Sequence, residues 1–381
     1  MNILMVIVSG GWMSKNLSEG FKRMGHEVRE FFYGTHMGKD WSTNGLKENH
    51  HVNVKLVELA KGLKEDNKLD MIFAVIYDDV LEVNAAKELR KLSVPMVNYH
   101  VDLIGQWHRI IRIGKYFDLV ACAHRDNWKA LKGLNIKPYY MPMAANPINE
   151  LELKNNSIEF FDGVCYLGAP SPYRIEVLER LKSNLIPLRV YGRNWEKTDP
   201  DPANFQSWKK NLHDMFYYLF PIIRNNGLKR LSMAYSWRLR KPYSKLFSLS
   251  KGFSSCVVGS YEANEFVSLV RASAINLGFT YFMGQSNTLD EKRQLRLRDF
   301  EIPICGGFYL TQSCKQLNEL FVPGEHLETW NDFGELLDKV SYYLNHPQER
   351  NAIAQSGMEH CLKYHTWENR FKGLLKELNI S

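Results

Sequence analysis

Arg296-Leu297-Arg298-Asp299-Phe300-Glu301-Ile302-Pro303-Ile304-Cys305-Gly306-Gly307-Phe308-Tyr309-Leu310 reads as a short helix, a glycine turn and a buried strand. A helix N-terminus with a basic approach suits phosphate oxygens. A carboxylate further along the helix, here Glu301, can accept hydrogen bonds from sugar hydroxyls. The apolar run after the glycine pair has the composition of a strand covered on both faces. These parts call for a ligand carrying both phosphate and hydroxyl groups, held by a parallel sheet.

The sequence on either side supplies two such sheets. Asn2 to Val8 is an apolar run closed by Ser9-Gly10-Gly11, and a helical pattern follows through Leu17, Phe21 and Met24. Further strands are predicted at Val28–Tyr33, Met71–Tyr77, Pro95–Tyr99, Leu119–Ala123 and Tyr139–Met143, with helices at Leu81–Leu92 and Asp126–Leu134. After a polar linker near Lys154-Asn155-Asn156-Ser157 the alternation restarts, with strands at Gly163–Leu167, Leu188–Tyr191, Ala274–Gly278 and Phe308–Thr311. Helices are predicted at Tyr173–Leu181, Glu262–Ala272, Phe333–Leu344, Glu349–Tyr364 and Trp367–Leu378. Such alternation marks doubly wound parallel sheets, whose ligands lie at the carboxyl ends of the strands. The expected architecture is α/β, with two Rossmann-like domains facing a cleft. The domains are read as 1–147 and 158–365, the second carrying a basic, aromatic helical insert over about 200–253. A last helix over 366–381 can pack back on the first domain.

At 381 residues the chain exceeds one ordinary core, and its 45% apolar and 24% charged residues are those of a globular protein. Its apolar run Ile3–Val8 is too short for a signal-peptide core or a membrane span, so a cytoplasmic protein is expected. Six scattered cysteines, without a C-x-x-C, speak for small buried apolar residues rather than zinc or disulfides. The net charge of +7 is local: residues 205–251 hold ten Lys/Arg against Asp214, or +9, leaving 7 − 9 = −2 elsewhere. Aromatic residues interleave these cations. The segment suits an anionic membrane face, which would make the protein peripheral on the inner face, or equally a helical subdomain with a solvated basic rim. A groove for acidic glycan or nucleic acid ranks behind, and nucleic acid is not expected because no binding motif accompanies the charge.

From about Val164 onward the chain resembles the CgeB-like branch of the group 1 glycosyltransferases, which have the GT-B fold. The resemblance rests on Tyr166-Leu167-Gly168, Val190-Tyr191-Gly192-Arg193-Asn194-Trp195, Ile275-Asn276-Leu277-Gly278-Phe279, the Arg298–Gly306 block, Leu320-Phe321-Val322-Pro323-Gly324-Glu325 and His365-Thr366-Trp367. It implies an enzyme that moves a sugar from a nucleoside-diphosphate sugar to a hydroxyl of a glycan or lipid-linked acceptor, in bacterial surface glycan synthesis. No cofactor and no catalytic metal are implied. Glu301 would contact ribose, and Gly306 would let the backbone approach the nucleotide. Many relatives carry a second Glu eight residues upstream, where this chain has Arg293.

Each candidate also has a plainer reading. Gly168 follows a strand and precedes a helix, so it can be a tight turn or a place for diphosphate. Arg174 in the first turn of that helix opposes the dipole preference, which suggests an anionic partner or a surface cation. Arg193, Arg298 and Gly307 complete the donor set. In the first domain Gly10 and Gly11 permit a turn and leave room for a ligand. His100 and Asp102 at a strand end can supply a base for the acceptor, or simply cap a loop. Asp78-Asp79 reads as a helix N-cap. Two other classes remain open: a GT-B protein that binds glycan without catalysis, and an NAD-type enzyme, which the missing dinucleotide fingerprint disfavours.

Overall fold

A computed structural model of the chain describes residues 1–35, 46–101, 107–126, 128–149, 158–195, 251–283 and 292–380. The basic segment 205–251 falls almost wholly outside them, so the reading of a helical insert does too. The chain divides into two compact units. One contains Met1–Asn146 and Thr366–Ser381; the other contains residues 147–206 and 239–365.

The first unit is built on a six-stranded parallel sheet in the order β2-β1-β3-β4-β5-β6. Its strands are β1 (Asn2–Ser9), β2 (Glu27–Thr35), β3 (Met71–Ala74), β4 (Met96–His100), β5 (Leu119–Cys122) and β6 (Pro138–Tyr140). Ile3 to Val8 are all buried, which fits a central strand whose two faces are covered. β1 pairs on one side with β2 (Ile3 opposite Val28) and on the other with β3 (Ile3 opposite Met71). The chain therefore reverses its direction across the sheet between β1 and β3.

Helices α1 (Glu19–Arg23), α2 (Leu46–Glu65), α3 (Val83–Arg90) and α4 (Trp128–Gly133) flank this sheet. α2 is absent from the sequence reading. Its buried stripe includes Asn53, whose side chain donates to Val80 O (2.8 Å) and accepts from Glu82 N (2.9 Å).

The second sheet runs β14-β13-β10-β7-β8-β9, again all parallel. Its strands are β7 (Phe161–Leu167), β8 (Leu188–Tyr191), β9 (Val257–Gly259), β10 (Ser273–Gly278), β13 (Tyr309–Gln312) and β14 (Glu328–Trp330). An antiparallel pair, β11 (Tyr281–Met283) and β12 (Lys292–Arg293), follows β10. The helices are α5 (Pro172–Ser183), α6 (Lys251–Ser254), α7 (Phe266–Arg271), α8 (Arg298–Ile304), α9 (Lys315–Asn318), α10 (Phe333–Asn345) and α11 (Pro347–Tyr364). Its core gathers Val164, Val190, Ile275, Leu310 and Trp330 from five strands with Leu178, Leu336 and Ile353 from the helices. Having laid β7, β8 and β9 outward, the chain returns to place β10 on the other side of β7. Ligands of open α/β sheets bind at such a reversal, beyond the carboxyl ends of the strands.

The last helix, α12 (Trp367–Glu377), belongs to the first unit. Thr366 caps it, accepting from Asn369 N (3.2 Å). Phe371 stacks on Phe21 of α1 at 3.7 Å between ring centroids, and Trp367 Nε1 donates to Asn16 Oδ1 (2.9 Å).

Candidate donor site of the second unit

The carboxyl ends of β7 and β10, on the two sides of the reversal, carry most of the predicted donor residues. Beyond β7 the chain turns at Gly168, whose N–H donates to Tyr191 O (2.9 Å) and whose carbonyl accepts from Trp195 Nε1 (2.8 Å). The neighbouring strand ends at Gly192. A Cβ there would stand 2.1 Å from Gly168 O, so only glycine lets the two strand ends come together. Ser171 then caps α5, accepting from Arg174 N (3.3 Å) with Pro172 in the first turn.

Arg174 does not point away as a plain surface cation. Its guanidinium donates to Ala169 O (2.9 Å) and lies 5.9 Å from the Tyr166 ring. Burial pushes the Tyr166 hydroxyl above its ordinary range, while the nearby charges of Arg174, Arg298 and Arg296 pull it down. Arg174 beside the Tyr166 ring and Arg298 on Leu167 O thus bring two cations to the end of β7.

α8 carries the other half of the site. Arg298 pairs with Glu301 one turn along, donates to Tyr261 Oη (2.6 Å), reaches Leu167 O (3.4 Å) and covers the Phe266 ring at 4.3 Å. Burial lowers the Arg298 pKa, but Glu301 and Tyr261 more than offset this, and it stands raised. Glu301 uses Oε2 for Arg298; among the described residues Oε1 makes no hydrogen bond. The Glu301 side chain is 18% exposed, enough to meet a ligand without floating in solvent.

The expectation that the N-terminus of α8 holds phosphate is corrected. Three N–H groups at its start are taken: Arg296 N donates to Asp299 Oδ2 (2.6 Å), Asp299 N to Arg296 O and Phe300 N to Leu297 O (3.1 Å each). Asp299 is fully buried, and its carboxyl is pushed up to about 6 by burial, against the pull of Arg296 N–H and the Tyr309 hydroxyl.

Gly306 and Gly307 stop α8, and Gly307 is corrected to a packing glycine. Gly306 (φ +78°) donates to Pro303 O (2.8 Å) and Gly307 to Ile302 O (3.3 Å), a left-handed helix stop. A Cβ on Gly307 would meet Val270 at 2.3 Å and Asn276 at 2.8 Å, and one on Gly306 would meet Met358 at 3.3 Å. The space Gly307 leaves is filled by protein.

Arg293, in place of the upstream Glu, donates to Ser313 O (3.0 Å) and Asn331 O (3.3 Å), beyond the ends of β13 and β14. Arg193 is exposed two residues past β8, close enough for its charge to act on Tyr261. Tyr261, which joins Arg298 to Phe266, was missed from sequence; its one signal is a position two residues past a three-residue strand.

In the first unit, Gly10 (φ +70°) ends β1 with open space around it, and Gly11 is half-buried. His100 is wholly buried at the end of β4, edge-on to Tyr77 at 5.3 Å. With no surface to offer an acceptor hydroxyl, it is corrected to a packing residue. Asp102 lies outside the described residues. Asp78 and Asp79 are not an N-cap, since α3 begins only at Val83 behind Glu82. Asp79 instead takes Arg109 in a two-pronged pair (2.7 and 3.0 Å), with Arg109 stacked 4.0 Å over Tyr77. Asp78 accepts weakly from Arg112 N (3.4 Å) and is pushed up to about 7 by burial, then by the charge of Asp79. Among the described residues no group of three or more His, Cys, Asp or Glu could hold a metal, and no helix is long and apolar enough to cross a membrane.

Solved structures superpose on this chain over nearly their whole length. Sucrose-phosphate synthase from Thermosynechococcus elongatus superposes with a TM-score of 0.56 at 13% identity, covering 99% of each chain. HepE from Anabaena, solved with UDP, gives 0.56 at 14% identity, covering 100% of each. The fold is GT-B. A third GT-B neighbour, a glycosyltransferase from Rickettsia africae, gives 0.53 at 10% identity over 98% of this chain and 97% of its own. Residues 240–376, which hold α8 and the strands β10, β13 and β14 of the GT-B second sheet, match the family model described as glycosyl transferase-like. No curated protein sequence matches the chain significantly.

Proposed function

We propose that this chain is a CgeB-like group 1 glycosyltransferase, moving a sugar from a nucleoside-diphosphate donor to a hydroxyl acceptor. The observation that carries the reading is that Arg174 on Ala169 O and Arg298 on Leu167 O stand at the end of β7, at the sheet reversal, with Glu301 paired to Arg298. The family match over residues 240–376 supports it. So does HepE, a protein of the same fold solved with UDP and with UDP-glucose.

The diphosphate lies against Arg298, Arg296 and Arg174, with Gly168 at its side. Fixed cations stabilise the charge that grows on a departing diphosphate, and being held in place already they need little reorganisation. Glu301 keeps Arg298 oriented through Oε2 and offers Oε1 to a ribose hydroxyl. Arg193 adds charge on the nucleoside side. The acceptor in this reading is a hydroxyl of a glycan or lipid-linked carrier, which rests on the sequence resemblance alone.

Glu301→Ala removes the ribose acceptor and the partner of Arg298 together. Titration calorimetry with UDP and GDP is expected to show at least a tenfold loss of affinity for whichever wild type binds, about 1.4 kcal/mol. Unchanged affinity sinks the assignment of Glu301. Failure of every nucleoside diphosphate to bind wild type sinks the donor site itself.

A further inference from the structure

The Arg298 side chain has three polar partners, and they differ in what they leave over. Nε reaches Leu167 O (3.4 Å), Nη1 pairs with Glu301 and Nη2 donates to Tyr261 Oη (2.6 Å). A backbone carbonyl and a carboxylate only accept. A phenol oxygen accepts and still has a proton of its own to give. With a guanidinium N–H on one lone pair, the Tyr261 O–H is turned away from Arg298. Among the described residues Arg298 is the one hydrogen-bond partner of the Tyr261 side chain, and an arginine has no acceptor. Glu301 uses Oε2 for Arg298 and makes no hydrogen bond to Tyr261.

The phenol is held in place. Tyr261 stands two residues past the edge strand β9 and is half-buried. Its ring stacks on Phe266 (6.2 Å between centroids, 28° between planes), and the same Phe266 ring carries the Arg298 guanidinium at 4.3 Å. Three side chains thus fix one another. β8 lies between β7 and β9, and the residue after it is Gly192, which has no side chain. One guanidinium can therefore join Leu167 at the end of β7 to a tyrosine from beyond β9. Burial raises the pKa of the Tyr261 hydroxyl, against the pull of Arg298. The phenol keeps its proton at neutral pH and is a donor.

The ion pair with Glu301 offsets part of the Arg298 charge. An anion at this corner therefore depends on directed hydrogen bonds as well as on charge. A phenol polarised by a guanidinium is a stronger donor than a phenol alone. Its bond to a charged oxygen is short and strong, which favours phosphate over a neutral hydroxyl as the acceptor. We propose that Tyr261 binds the donor directly, giving its O–H to a phosphate oxygen while its own oxygen stays on Arg298. The inference rests on the donor-site reading above and adds a residue to it.

Tyr261→Phe keeps the ring on Phe266 and removes only the hydroxyl. Titration calorimetry compares wild type and variant with UDP or GDP, whichever wild type binds, and with the matching nucleoside. The variant is expected to lose about tenfold or more in affinity for the diphosphate and nothing for the nucleoside. Without ligand it is expected to melt at the wild-type temperature. A crystal structure of wild type with that nucleotide is expected to show Tyr261 Oη within about 3 Å of a phosphate oxygen. Unchanged diphosphate affinity in Tyr261→Phe overturns the proposal. So does an equal loss for the nucleoside, which would put the hydroxyl on ribose or base. A complex in which Oη reaches no phosphate oxygen also overturns it, since Tyr261 would then only hold Arg298 in place. If no nucleoside diphosphate binds wild type, the donor-site reading fails first and this inference with it. If Glu301→Ala loses affinity while Tyr261→Phe does not, the inference fails alone. Should Tyr261→Phe fold poorly, the structure of the wild-type complex still decides.

Discussion

Asp78 shows how a single buried group sets a pH response. Its carboxyl is 8% exposed and stands at about 7, against 3.8 for an ordinary aspartate. Burial disfavours its charged form, and Asp79 next to it adds repulsion that Arg109 only partly relieves. A carboxyl whose folded-state pKa lies above the unfolded value stabilises the fold in its protonated form. That contribution is complete below about pH 4 and disappears as pH rises through about 7. About three pH units at ~1.4 kcal/mol each give a loss on the order of 4 kcal/mol. Asp299, pushed up to about 6, adds to wild type and variant alike. Asp78→Asn keeps an acceptor for Arg112 N and cannot ionise. Its melting temperature is therefore expected to fall much less than that of wild type between pH 5 and pH 8. Parallel curves for the two proteins would show that Asp78 titrates normally.

At the scale of elements, the two glycine turns of the second unit make different demands. Gly306 ends α8 with φ +78°, and its neighbour Met358 is a flexible side chain. Gly306→Ala is expected to cost about 1 kcal/mol from the left-handed backbone, and Gly306→Asn less, as asparagine tolerates that region. Gly192 is held by sterics: a Cβ would lie 2.1 Å from a backbone carbonyl that cannot swing aside. Gly192→Ala must separate β7 from β8, and a cost above about 3 kcal/mol follows. Thermal unfolding of the three variants checks the order; equal losses would mean the strand ends yield more easily than their contacts imply. The same elements show what was legible beforehand. β1 announces itself as a continuous apolar run. β9 and β14 do not, because three residues give no period, and α2 hides because its buried stripe passes through Asn53. The stretch Arg296–Leu310 disclosed its helix, turn and strand. Gly307 looked like room for a nucleotide because sequence cannot show Val270 and Asn276 filling that room. Tyr261 and the carbonyl anchors of the arginines depend on residues brought together from separate strands, which no local pattern encodes.

For the whole molecule, the division into two units makes stability and ligand response separable. α12 is the last helix of the chain, yet its apolar face belongs to the first unit, where Trp367, Phe371 and Leu374 are wholly buried. Gly20 of α1 leaves room for it: a Cβ there would lie 2.8 Å from both Phe371 and Trp367. Truncating Trp367 removes a ring packed on Tyr99 and Phe371 and leaves the side chain of Asn16 without its donor. Trp367→Ala is therefore expected to cost the first unit about 3 to 5 kcal/mol. All the residues assigned to the donor lie in the second unit. A nucleoside diphosphate stabilises what it binds, by about 2.7 kcal/mol at a hundredfold excess over Kd. Differential scanning calorimetry with and without the nucleotide that binds can then assign each effect. The Trp367→Ala substitution is expected to lower one transition and the nucleotide to raise the other. If the nucleotide instead raises the transition that Trp367→Ala lowers, and leaves the rest of the trace unmoved, the ligand is bound by the first unit and Arg174, Arg298 and Glu301 are not its site.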